Sequence, residues 1–133
     1  MGRRVPLPPY LRSTLERVFG CDVHQVEIIE RSWFARVHLR AIATTRRRRI
    51  YLRGTAEDFF ESPPLVLHEY FHVLRQWEPR ELSVSGYLVE CFRRGYWDNR
   101  FEIAAREFTD DNLYRFRALL AQARSRDSGT ALS

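Results

Sequence analysis

The sequence predicts an α+β domain, and three observations carry that prediction. β-Branched and aromatic residues cluster in short runs at positions 23–29, 41–44 and 50–53, all in the first half of the chain. From Ser62 onward, apolar residues recur at helical spacing instead. The 133 residues are 44% hydrophobic, enough for one core and too few for two domains. Residues 1–123 therefore read as a single domain. Residues 124–133, small, polar and charged, read as a disordered tail.

The elements follow in order. Residues 10–19 form a short helix, with Leu11, Leu15, Val18 and Phe19 on one face and Gly20 where a C-terminal glycine stops a helix. Residues 23–29 form a strand. Residues 33–39 lean towards a short helix. Residues 41–44 and 50–53 form two strands joined through Arg46, Arg47, Arg48 and Arg49, which makes the arginine run a solvated hairpin tip. That tip lacks the glycine or asparagine a tight turn prefers. Ser62 and Pro63 are a suitable N-cap and first residue for a helix reaching Trp77, which Pro79 ends. Further helices are predicted at 82–93 and 100–108, the second capped by Asp98 or Asn99. A last helix, capped by Asp110 or Asp111, carries Leu113, Phe116, Leu120 and Ala123 on one face.

The chemistry concentrates in His68-Glu69-Tyr70-Phe71-His72. On a helix, residues four apart lie about 40° apart around the axis, so both imidazoles reach one metal ion. Glu69, about 100° round from His68, is placed to take a proton from a water at that ion. Composition alone yields the His, Glu, His pattern somewhere in such a chain roughly 1% of the time. The helical context sharpens the signal. His68, Glu69, His72, Arg75 and Gln76 share a polar arc, while Val66, Leu67, Tyr70, Phe71, Val73, Leu74 and Trp77 fall opposite, and only Leu65 breaks the partition.

A catalytic zinc needs a third protein ligand and one open position. The metzincin pattern requires glycine at 75 and histidine at 78, but Arg75 and Glu78 stand there and the only methionine is Met1. His24 and His38 lie far upstream and read as structural. A carboxylate from a later helix remains, with Glu81, Glu90, Glu102 and Glu107 as candidates. Glu81 follows the helix end too closely to fold back. Glu102 is favoured: Ala104 and Ala105 beside it permit close helix packing, and Phe101, Ala105 and Phe108 form an apolar side that leaves Glu102 on another face. Glu107 and Glu90 rank behind it. A plain ion pair of Glu102 with Arg106 is compatible with the same placement.

These residues resemble an uncharacterised bacterial family of small zinc metallopeptidases with an H-E-x-x-H-x-x-x-Q helix. The matching positions are Leu7-Pro8, Leu11, Leu15, Val26, Ala43-Thr44, Ile50-Tyr51-Leu52, His68-Glu69, His72, Gln76, Phe101-Glu102 and Ala105-Arg106. The resemblance spans roughly residues 6–108. Two departures are the arginine hairpin tip, where the family favours glycine and asparagine, and Arg100, where proline is common. The resemblance implies a zincin-like fold of the minimal gluzincin type, in which a small antiparallel sheet packs on the active-site helix and a helical C-terminal half follows. It further implies zinc held by His68, His72 and Glu102, and peptide-bond hydrolysis with Glu69 as the catalytic proton carrier. An edge strand above the metal would pair with an extended peptide or protein substrate. Tyr87, Tyr96 and Arg106 are candidate oxyanion donors.

Charge and cysteines bound the alternatives. The net charge is +5, and all 22 basic residues are arginine. Total replacement of lysine points to codon bias before phosphate recognition, and no aromatic interleaves the arginine run, so nucleic acid is not an expected partner. Cys21 and Cys91 make no metal pair and read as two buried thiols. No apolar run is long enough for a membrane span, and no signal-peptide core follows the start, so a cytoplasmic location is expected. The alternative function is a zinc-bearing scaffold that binds a peptide or protein without turnover.

Overall fold

The computed structural model describes residues 2–31, 43–46, 48–77 and 100–132. Four strands, β1 (Arg3–Val5), β2 (Glu27–Glu30), β3 (Ala43–Arg46) and β4 (Arg49–Leu52), form one sheet in the order β1-β2-β4-β3. The helices are α1 (Pro9–Phe19), α2 (Ala56–Phe60), α3 (Pro63–Phe71) and α4 (Arg100–Leu132). A π-helix, His72–Trp77, continues α3 without a break in the chain.

The α+β class is borne out, with one correction to the sheet. It is mixed, not antiparallel: β1 pairs antiparallel to β2 and β3 antiparallel to β4, but β2 and β4 run parallel. The hairpin of β3 and β4 could dock on β2 through either strand. It docks through β4, whose Ile50 and Leu52 are buried in the core. Interior positions suit the more apolar strand, and among the described residues the less apolar Ala43–Arg46 is an edge. The expected hairpin around the arginine run is present, with Arg46 opposite Arg49. Arg48 takes φ 63°, the left-handed conformation for which the sequence supplies no glycine.

The strand expected over residues 23–29 shortens to Glu27–Glu30. Asp22 accepts a hydrogen bond from the His24 backbone N–H at 2.8 Å, and the Val26 N–H donates to the Val23 carbonyl. This turn buries Val23 and Val26 without using them in the ladder. α1 matches expectation, and Gly20 closes it at φ 71° with its N–H on the Glu16 carbonyl.

The helix expected at 100–108 and the last helix, expected to be capped by Asp110 or Asp111, are one helix. Across the expected break at Asp110 or Asp111, the Thr109 and Asn112 side chains donate back to the Ala105 and Phe108 carbonyls at 2.8 and 2.9 Å. Their polarity is spent inside the helix, while Asp110 and Asp111 stay exposed on its surface. The stretch from Arg124, expected to be a disordered tail, carries a helical backbone to Leu132. Arg124 donates to the Tyr10 hydroxyl at 2.9 Å and to Glu61 at 3.1 Å, which fastens this stretch to α1 and to the end of α2. Cys21 is exposed, not buried. The helices expected at 33–39 and 82–93 lie outside the described residues.

The core lies between sheet and helices. Ile28, Ile50 and Leu52 from the sheet meet Leu11, Leu15 and Phe19 of α1, Val66, Leu67 and Tyr70 of α3, Val73 of the π segment and Phe116 and Leu120 of α4. α4 packs along both α3 and α1, and β3 lies against α3 and the π segment. The site helix is thus held between an edge strand and the long helix. Among the described residues, no helix is long and apolar enough to cross a membrane.

Candidate metal centre

Ser62 precedes Pro63 at the start of α3 as expected, although its side chain makes no capping hydrogen bond. Val66, Leu67 and Tyr70 pin one face of this helix into the core. That anchoring fixes the rotation of the other face, which carries His68 and His72. The two rings meet edge to face with centroids 4.8 Å apart, and their Nε2 atoms lie 3.2 Å apart.

Glu102, in the first turn of α4, faces this pair. Its Oε2 is 2.8 Å from His68 Nε2 and its Oε1 is 3.2 Å from His72 Nε2. The three side chains offer ligand atoms all within 4.8 Å of one another, and they could hold a metal ion. Two imidazole nitrogens and one carboxylate oxygen are a donor set for a first-row divalent metal. Ligand atoms at 2.0–2.2 Å from a tetrahedral centre stand about 3.3–3.6 Å apart. The 2.8–3.2 Å separations between facing atoms are within about half an ångström of that requirement. The residues therefore fit a metal.

Burial gives the cluster its electrostatic character. His72, Glu69 and Glu102 are all buried. Burial pushes the Glu102 carboxyl up, but the hydrogen bonds from His68 and His72 outweigh it and hold the group well below the usual carboxylate range. Glu69 shifts the opposite way. Burial raises it and the Glu102 charge adds to the rise, while His72 and His68 only partly oppose them. Two neighbouring carboxyls are thus driven apart, one to remain ionised and one towards proton exchange.

The structure brings together His68, Glu69, His72 and Glu102. Glu107, the competing carboxylate on α4, is exposed. Glu81, Glu90, Tyr87, Tyr96 and His38 lie outside the described residues. His24 is exposed and paired with Asp22 at 3.3 Å, in keeping with a structural reading. Arg75 does not join the histidines as the polar arc suggested. The π segment changes the angular step after His72, and the Arg75 guanidinium donates to the Phe19 carbonyl at the end of α1, 2.8 Å away. No periodicity rule based on an α-helix could have placed it there.

Fold and site together define an α+β domain with a buried His-Glu-His cluster on two packed helices. The chain belongs to the eCIS core domain family, whose family model matches residues 6–80, just over half of the chain. The matched region contains α3 and the π segment, with His68, Glu69 and His72, and it ends before α4, so Glu102 comes from outside it. This family, and not one named for zinc peptidases, is what the comparison identifies. No curated protein matches the chain, and neither does any solved structure.

Proposed function

We propose that this domain is a zinc-dependent metallopeptidase. The observation that carries the reading is the convergence of His68, His72 and Glu102, with the buried Glu69 next to His68 on the same helix. Three protein ligands leave one position open, the pattern of catalytic rather than structural zinc. When bound, the metal supplies Lewis acidity towards a carbonyl and a water. Glu69, raised by burial, takes a proton from the attacking water and passes it to the leaving amine. Glu102 keeps its charge and balances part of the metal's. Among the described residues β3 is an edge strand lying against α3 and the π segment, so an extended peptide pairing with it would run past the histidines.

Metal analysis of the purified protein, followed by cleavage of a peptide library with and without a chelator, tests the proposal. Zinc at one equivalent with chelator-sensitive cleavage is the expected result. Zinc without cleavage favours the non-catalytic scaffold that binds a peptide or protein. Iron in place of zinc would overturn the hydrolase reading, because two histidines and a carboxylate also serve iron oxygenases.

A further inference from the structure

The metal ligands sit on two helices, and something must set the distance between them. α3 and the π segment supply His68 and His72, and α4 supplies Glu102. Besides the ligands and the shared core further along α4, rings join the two helices near the site. Phe71, next to His72, lies 4.9 Å from Phe108, centroid to centroid, and Phe108 is six residues beyond Glu102 on α4. Phe108 also stacks on Phe19 of α1, at 5.0 Å with planes 21° apart. Phe19 is the last residue of α1, and its carbonyl accepts the Arg75 guanidinium at 2.8 Å. The same guanidinium lies 5.8 Å from the centre of the Phe19 ring. Arg75 is three residues past His72 within the π segment.

The contacts close a ring. From His72 the chain runs through the π segment to Arg75, across to Phe19, through Phe108 and down α4 to Glu102. A shorter arm passes through Phe71. We propose that Phe19, Phe71, Phe108 and Arg75 form a clasp that sets the spacing between the histidine pair and Glu102. They are positioning residues for the metal centre, and this inference rests on the metal-site reading above. A helix C-terminus presents carbonyls without intrahelical partners, and a guanidinium is well suited to take one. The end of α1 is thereby a fixed point to which both ligand-bearing helices are tied. A cluster whose ligand atoms must sit within about half an ångström of the productive geometry has little tolerance for a shift of one helix along the other.

The test uses the full chain with Phe108→Leu, Arg75→Gln and Arg75→Lys, and with Ile28→Val as a core substitution on the sheet. Circular dichroism checks that each folds; Arg75 is exposed, so its variants keep the core intact. Zinc affinity is read by competition with a chromophoric chelator, and ligand geometry by the visible spectrum of the cobalt-loaded protein. Phe108→Leu and Arg75→Gln are expected to weaken zinc about tenfold, the lower end of what supporting residues cost, and to alter the cobalt bands. Arg75→Lys is expected to recover part of the affinity, and Ile28→Val to leave affinity and spectrum unchanged. If the unaltered protein binds no metal, the metal reading fails and the clasp with it. If it binds metal but the clasp variants match it in affinity and spectrum, the clasp alone is overturned. Equal weakening by Ile28→Val would also overturn it, because general loosening would then explain the effect.

Discussion

Glu102 and Glu27 each stand between two basic side chains, and only one of them makes a site. Glu27 faces Arg4 at 3.2 Å and Arg49 at 3.5 Å on the outer face of the sheet. Those arginines are 69% and 53% exposed, and the shared Oε2 has no hydrogen-bond partner despite their proximity. Glu102 faces two histidines at similar distances, but its side chain is 5% exposed. Water reaches the two arginines of the first cluster and weakens their pairing, although the shared Oε2 is itself shielded. The second has little water to fall back on, so its groups depend on one another or on a bound cation. Geometry alone does not distinguish the two; burial and donor chemistry do. Guanidinium groups stay protonated and offer a metal nothing, whereas imidazole nitrogens can bind one.

The comparison can be broken at the buried end first. Glu69→Gln is expected to retain metal and fold while lowering peptide hydrolysis by at least about 10²–10⁴-fold, since it removes the proton carrier and leaves the ligands. Undiminished turnover by that variant would remove Glu69 from the mechanism. Glu102→Ala is expected to reduce zinc affinity more than the about 10–100-fold that a supporting residue costs. Glu107→Ala, at an exposed position on the same helix, is expected to change it little. Equilibrium dialysis of both variants decides between them. Comparable losses would mean that α4 has no single ligand.

A third carboxylate lies between these extremes. Glu30 accepts the Ala56 N–H at 2.9 Å and pairs with Arg3 at 3.0 Å, tying β2 to the start of α2 and to β1. The Ala56 hydrogen bond lowers its pKa; burial opposes this, and the Arg3 and Arg31 charges add to the lowering. A carboxyl lowered on folding contributes stability above its unfolded value of about 4.3, and loses it as pH falls through the lower folded value. Urea midpoints measured from pH 7 down to pH 3 should fall less steeply for Glu30→Gln than for the unaltered chain. Parallel curves would show that other groups govern the acid limb.

The smallest effects belong to the exposed cluster. Glu27→Gln is expected to change stability by less than about 1 kcal/mol, because both arginine partners are solvent-exposed. Replacing Arg46 through Arg49 with serine should leave the zinc content of the folded protein unchanged. A loss of zinc in that variant would place the hairpin in the service of the metal centre.

What the sequence could determine by itself was local. His68, Glu69 and His72 share a neighbourhood because an α-helix brings residues four apart onto one face whatever surrounds it. The end of α1 at Gly20 is equally local, since a left-handed residue closes a helix on its own. Glu102 stood between these and the long-range features. Its sequence context named it among four carboxylates, but only the packing of α4 on α3 put its oxygens beside both imidazoles. The continuity of α4 was also within reach. Phe101, Ala105, Phe108, Asn112, Phe116, Leu119 and Ala123 keep one helical stripe straight through the polar stretch at 109–112. Tertiary structure alone decided the rest. Whether β4 or β3 docks on β2 depends on which strand buries more apolar surface against α1 and α3. Arg75 turns to α1 because a π segment, not an α-helix, follows His72. Spacing along the chain encodes what lies within a turn or two of helix; it carries no record of which distant surfaces compete for the same core.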